Sequence, residues 1–223
     1  MQLKRLKLYY SFMPIFLAIY LSLFLVACSE PQPPTINLYR AVHIEDIDQV
    51  ERNLFWNAKV DQPGPDGQTP LHVAARQGSL VVIGMLLKHG ADTESMDRQG
   101  HTPLAAALLA RNTLVADYLV KQQAQVNADA LLHETVRLGQ ADRDVIDFLI
   151  KQGADLNKPD KEGTPPLHQA ILNGYRVISK NLVLKGADID LTDKTGRTPL
   201  QVAIETGEKD IEQMLRKFGA SPP

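Results

Sequence analysis

One short pattern returns along this chain at a spacing near 33 residues, and a repeat of that length leaves few folds open. Thr69-Pro70-Leu71-His72-Val73-Ala74-Ala75, Thr102-Pro103-Leu104-Ala105-Ala106-Ala107, Pro165-Pro166-Leu167-His168-Gln169-Ala170 and Thr198-Pro199-Leu200-Gln201-Val202-Ala203 are versions of it. A second mark follows the motif leucine by nineteen residues, in Gly90-Ala91-Asp92, Gly186-Ala187-Asp188 and Gly219-Ala220. Two marks at a fixed offset define a structural unit rather than a chance resemblance.

Each unit reads as a helix pair. Thr69, Thr102 and Thr198 stand where an N-cap hydroxyl accepts a backbone N–H, and the proline behind each suits the first helical position, where its missing N–H is harmless. Leu71, Ala74 and Ala75 then share one face, with small side chains that let a neighbouring helix come close. Val82, Ile83, Leu86 and Leu87 form the stripe of a second helix that closes on Lys88-His89-Gly90, a basic last turn followed by a residue suited to the left-handed conformation. Asp97-Arg98-Gln99-Gly100-His101 and Asp193-Lys194-Thr195-Gly196-Arg197 carry Asp and Gly at turn spacing and mark the links between units. One pair of short helices cannot bury its own stripe, so neighbours must cover it.

The Thr-Pro-Leu-His motif and the Gly-Ala mark resemble those of ankyrin repeats. That resemblance implies an all-α solenoid of stacked helix pairs with short hairpin fingers. The expected units are 36–63, a degenerate N-terminal cap, then 64–96, 97–127, 128–157, 158–190 and 191–223. In the cap, Leu38, Ala41, Val42, Ile47, Val50 and Leu54 fall at the apolar places. The third full unit departs most: its motif reads Ala130-Leu131-Leu132-His133-Glu134-Thr135-Val136, its preceding finger is five residues short, and two extra residues follow Gly139. Lys209 to Phe218 offers a polar outer face for a C-terminal cap, so a monomer is expected rather than open-ended stacking.

The head of the chain is of another kind. Lys4, Arg5 and Lys7 precede twenty uncharged residues, Leu8 to Ala27, and then comes Cys28, the single cysteine. Leu25-Val26-Ala27-Cys28 resembles the lipobox of a bacterial lipoprotein. The resemblance implies a signal peptide over 1–27, lipid on Cys28, and a bacterial envelope location outside the cytoplasm. Ser29 resembles the residue of lipoproteins sent to the outer membrane, facing the periplasm. An uncleaved signal anchor is the alternative, since about 20 apolar residues also span a bilayer. Residues 28–35, with Pro31, Pro33 and Pro34, read as a short extended tether. Loss of the leader's three cations takes the formal net charge from −2 to −5, which gives no support for nucleic-acid binding.

Catalytic and cofactor signatures are lacking: the chain carries no nucleophile elbow, phosphate loop, zinc-binding His pair or dinucleotide fingerprint. His72, His133 and His168 recur at one repeat position, but equivalent residues in stacked units stand about 10 Å apart, too far to share one metal ion. The ankyrin resemblance makes this His a hydrogen-bonding element of finger and helix start. No enzyme, cofactor or metal site is expected, and the scattered carboxylates read as solvated charges. What is expected is a protein partner, held by first-helix ends and finger tips as the resemblance implies. These places carry Arg76, Gln77, Leu109, Arg137, Leu138, Leu172, Asn173 and Glu205 on helices, and Arg98, Gln99, His101, Lys161, Glu162, Lys194 and Arg197 on fingers, with Tyr175 beside them. Leu109, Leu138 and Leu172 either line an apolar strip for the partner or close the gap left by the short finger. Phe55 and Trp56 either seal the cap or touch a partner or lipid. Two roles fit: an envelope adaptor, or an immunity lipoprotein that inhibits a secreted antibacterial toxin such as a phospholipase.

Overall fold

The computed structural model describes residues 30–222; the leader and Cys28 lie outside the described residues. The secondary structure there consists of twelve helices in six antiparallel pairs, with no strand among the described residues. Inner helices are α1 (Leu38–His43), α3 (Pro70–Gln77), α5 (Pro103–Leu109), α7 (Ala128–Arg137), α9 (Pro166–Leu172) and α11 (Pro199–Glu205). Outer helices are α2 (Ile47–Phe55), α4 (Leu80–Lys88), α6 (Thr113–Lys121), α8 (Arg143–Lys151), α10 (Arg176–Leu184) and α12 (Lys209–Lys217). None is long and apolar enough to cross a membrane.

Thr69, Thr102 and Thr198 are the N-caps of α3, α5 and α11, each followed by its proline. Leu71, Ala74, Ala75, Val82, Ile83 and Leu86 are fully or almost fully buried, and one core runs without a break from Leu38 to Leu215. At about 25 cal/mol per Å² of apolar surface, this shared core is the main term holding the pairs together. Two expectations for the cap fail. Ile47 is 44% exposed rather than core, as is Leu80 at 43% in the same first position of α4, because the stripe is covered only from the third residue of the outer helix onward. Trp56, at 46%, does not seal the cap.

Fourteen residues separate α2 from α3, α4 from α5, α8 from α9 and α10 from α11, but only six separate α6 from α7. The deletion of five residues is compounded by α7 itself, which starts three residues ahead of the motif register, at Ala128, capped by the Asn127 side chain on the Ala130 N–H at 3.2 Å. The finger between these units is therefore absent rather than short.

Candidate functional site

Each of the four fingers is built around one aspartate. Asp97 accepts from the N–H groups of Gln99 and His101, both at 2.9 Å, and Asp160 from Glu162 and Thr164 at 3.0 and 2.8 Å. Asp193 takes Thr195 and Arg197 N–H groups at 2.8 and 3.0 Å and the Arg197 guanidinium at 2.8 Å. Burial opposes the charge on Asp193, yet these donors hold its carboxyl far below the usual range. Asp66 completes the set with the Gln68 N–H at 3.2 Å. Side chains that satisfy turn N–H groups in this way make the finger rigid without a sheet.

The motif side chain of each unit reaches the finger of the next. The Thr69 N–H donates to His72 Nδ1 at 3.2 Å, so His72 carries its proton on Nε2 and donates it to the His101 carbonyl at 2.9 Å. His133 and His168 reach the Lys158 and Arg197 carbonyls, each at 2.9 Å. Tyr39, in the matching place of the cap, donates to Asp66 at 2.9 Å. Ala105 holds this place in the unit that has no finger after it. A second ladder joins the Gly-Ala marks: the N–H groups of Asp92, Gln125, Asp155, Asp188 and Ser221 donate to Asp61, Glu94, Asp129, Asn157 and Asp190 at 2.8–3.1 Å. Several carboxylates expected to be merely solvated thus tie one unit to the next.

Where the finger is missing, a cleft of about 600 Å³ opens beside α7. The predicted residues Gln99, His101 and Arg137 line it, joined by Glu94, Gln125, Leu131 and Glu134. Glu134 is the hub. Its carboxylate accepts from Arg137 Nη2 at 2.7 Å and from His101 Nε2 at 3.2 Å, and these partners, Arg137 first, hold it below the usual carboxylate range. Sequence reasoning missed Glu134 because its register, one residue past the motif histidine, holds the buried Val73, Ala106 and Val202 in three other units; the five-residue deletion before it was the available signal.

The other predicted residues divide by what they touch. Arg76, Lys161, Glu162 and Lys194 are exposed at helix ends and finger tips. Arg98 is exposed as well, and its side-chain stem packs over Gly67 of the preceding finger, as that of Lys194 does over Gly163. Gln77 Nε2 donates to the His43 carbonyl at 2.9 Å, and Asn173 Nδ2 to the Arg137 carbonyl at 3.4 Å, so both bridge units. Arg197 Nη1 reaches Glu205 at 3.0 Å. Tyr175 lies half-buried over Gly139, where a Cβ would stand 3.0 Å from the ring, a tight fit at a φ of 72° that already favours glycine. Leu138 and Leu172 are 38% and 43% exposed, while Leu109 is half-buried. None of the three leucines lines the cleft, so they do not fill the place of the lost finger. Val81 at 59%, Leu114 at 76% and Val177 at 67% exposure, at the second position of α4, α6 and α10, are apolar residues that helical periodicity alone assigned to no role. No group of His, Cys, Asp or Glu among the described residues is arranged to hold a metal ion.

Stacked helix pairs, rigid fingers and a row of largely exposed inner-helix ends define a repeat scaffold of the protein-binding class. The chain belongs to the ankyrin-repeat family: the family described as ankyrin repeats in three copies matches residues 38–130 and 132–222. A putative palmitoyltransferase of Danio rerio is 34% identical over 152 residues, 65% of this chain and 24% of that protein. Rabankyrin-5 of Mus musculus is 31% identical over 138 residues, 59% of this chain and 12% of its own length. The chain thus spans a quarter or less of these relatives. Among solved structures, the ankyrin repeat domain of Bcl-3 superposes with a TM-score of 0.68 at 24% identity, covering 85% of this chain and 89% of that one. A chain from the complex of a predatory endopeptidase of Bdellovibrio bacteriovorus with its immunity protein gives 0.66 at 26%, covering 82% and 98%.

Proposed function

We propose that this chain is a lipid-anchored ankyrin protein of the bacterial envelope, without catalysis of its own, that binds one protein partner beside the membrane. The carrying observation is the row of exposed inner-helix ends and finger tips, Arg76, Leu138, Leu172, Lys161 and Glu162 among them, interrupted once by the cleft beside α7. Exposed arginines such as Arg76 and Arg137 along this row are of the residue type that partner interfaces favour. The lipid anchor rests on the lipobox-like Leu25-Val26-Ala27-Cys28.

Between adaptor and inhibitor, one observation favours the inhibitor. The Bdellovibrio relative comes from a complex that pairs an endopeptidase with an immunity protein, and this chain matches 98% of the chain concerned. An immunity role would set a cleft that accepts a protruding loop against a secreted hydrolase. Affinity capture of the full-length protein from detergent-solubilised envelopes, with mass spectrometry of what co-purifies in near-equal amount, tests this. A single toxic hydrolase is the expected result; a set of resident envelope proteins would overturn the inhibitor reading in favour of the adaptor.

A further inference from the structure

Helix α2 ends unlike its counterparts in the units that follow. Phe55 and Trp56 stand where those units carry Lys88-His89, Lys121-Gln122, Lys151-Gln152, Leu184-Lys185 and Lys217-Phe218, so that α2 alone ends on two aromatic rings. Both rings are about half exposed, at 50% and 46%, and they meet edge to face with centroids 6.0 Å apart. Trp56 has one fixed polar contact: its Nε1–H donates to the Pro31 carbonyl at 3.1 Å. Two more bonds fasten the same stretch of chain along α2, from the Thr35 N–H to Gln49 Oε1 at 2.9 Å and from Asn53 Nδ2 to the Ile36 carbonyl at 2.8 Å. The Pro-rich tether is therefore not a free spacer but is strapped to the first helix pair. Pro31, at Trp56, is three residues past Cys28, a span of at most about 11 Å even when fully extended.

We propose that Phe55 and Trp56 form an aromatic foot seated in the headgroup layer of the membrane that holds the Cys28 lipid, so that the solenoid stands on its first unit. The inference rests on lipidation of Cys28, and the length of chain selects the occupant: an acylated Cys28 brings a lipid surface within reach of both rings. Trp is suited to that layer because its ring is apolar while its N–H stays bonded. Charge sets the posture. Asp48 and Glu51 are exposed on the same helix, one to two turns before Phe55. Those carboxylates would lose hydration if α2 lay flat, so only its C-terminal corner enters. The later units then project away from the lipid.

Trp56 is the sole tryptophan of the chain, which makes the test direct. The full-length lipoprotein, purified in detergent, is reconstituted into vesicles of phosphatidylethanolamine and phosphatidylglycerol, some of them brominated on the acyl chain near the headgroup. A matched protein carries Trp56→Phe with Phe218→Trp, which moves the indole to the equivalent helix end of the last unit. Brominated lipid is expected to quench Trp56 and not the indole at 218, and aqueous iodide to quench Trp56 about twofold less than the indole at 218, as an interfacial ring requires. Equal iodide quenching at both places, with no lipid quenching and with the protein still floating with the vesicles, would overturn the foot while leaving the anchor intact. A chain without acyl groups on Cys28 by mass spectrometry that also fails to float would remove the anchor, and the foot with it.

Discussion

The motif histidine is present where there is a following finger for it to hold. His72, His133 and His168 each donate to a carbonyl in the next finger, Tyr39 does the same to a carboxylate, and Ala105 stands where the next finger is missing. His168 has a defect that His72 lacks: Pro165 offers neither an N–H nor a hydroxyl, so His168 Nδ1 is buried without a partner, as is His133 Nδ1. Pro165→Thr should supply both and raise stability by about 1 kcal/mol, read as a higher melting temperature. Burial also pushes His72 and His168 below the usual imidazole range. In the unfolded chain the same rings take protons near pH 6.5, so between that value and the folded one the unfolded state binds more protons and stability falls as pH drops. Asp129, paired first with Lys158, and Asp190, bonded first by the Ser221 N–H, are held low in the folded state. Their stabilisation is complete above the unfolded carboxylate value near 4 and is lost as pH falls toward the folded one. Thermal melts from pH 8 to 3 should show two declines, the first flattened by His72→Gln with His168→Gln.

The absent finger decides most at the scale of elements. Its loss removes the hairpin that elsewhere covers the start of the next inner helix, and α7 responds by starting early on Asn127. The cleft and the Glu134 hub within it follow from that one deletion. Leu138 and Leu172 lie beyond it, more than a third exposed, at the ends of consecutive inner helices. Leu138→Asp together with Leu172→Asp should leave the melting temperature within a few degrees, since exposed substitutions cost about 0.5 kcal/mol or less, while partner capture is lost. A fall of more than ten degrees, several kcal/mol at this size, would place them in the core instead.

For the whole molecule, the tether links fold and location. Three hydrogen bonds strap residues 31–36 to α2, so whatever holds Cys28 also fixes the orientation of the row of inner-helix ends. Cys28→Ala should release the chain from the membrane fraction without changing its melting temperature; retention after an alkaline wash would show that lipid is not the anchor.

The repeat, its caps, the class of fold and the buried faces were legible in the sequence, because helix period, N-cap chemistry and glycine conformation are local matters that a few adjacent residues settle. Ala105 at the motif position also stood out in the one inner unit with no finger behind it. Tertiary structure decided what depends on residues far apart in the chain: that a five-residue gap removes a whole finger, that Glu134 gathers His101 and Arg137, and that Ile47 faces solvent. It also decided that Trp56 grips Pro31 instead of sealing the cap. These contacts join side chains about 25 or more residues apart, except for the Glu134–Arg137 pair, and their geometry exists only once neighbouring units have stacked.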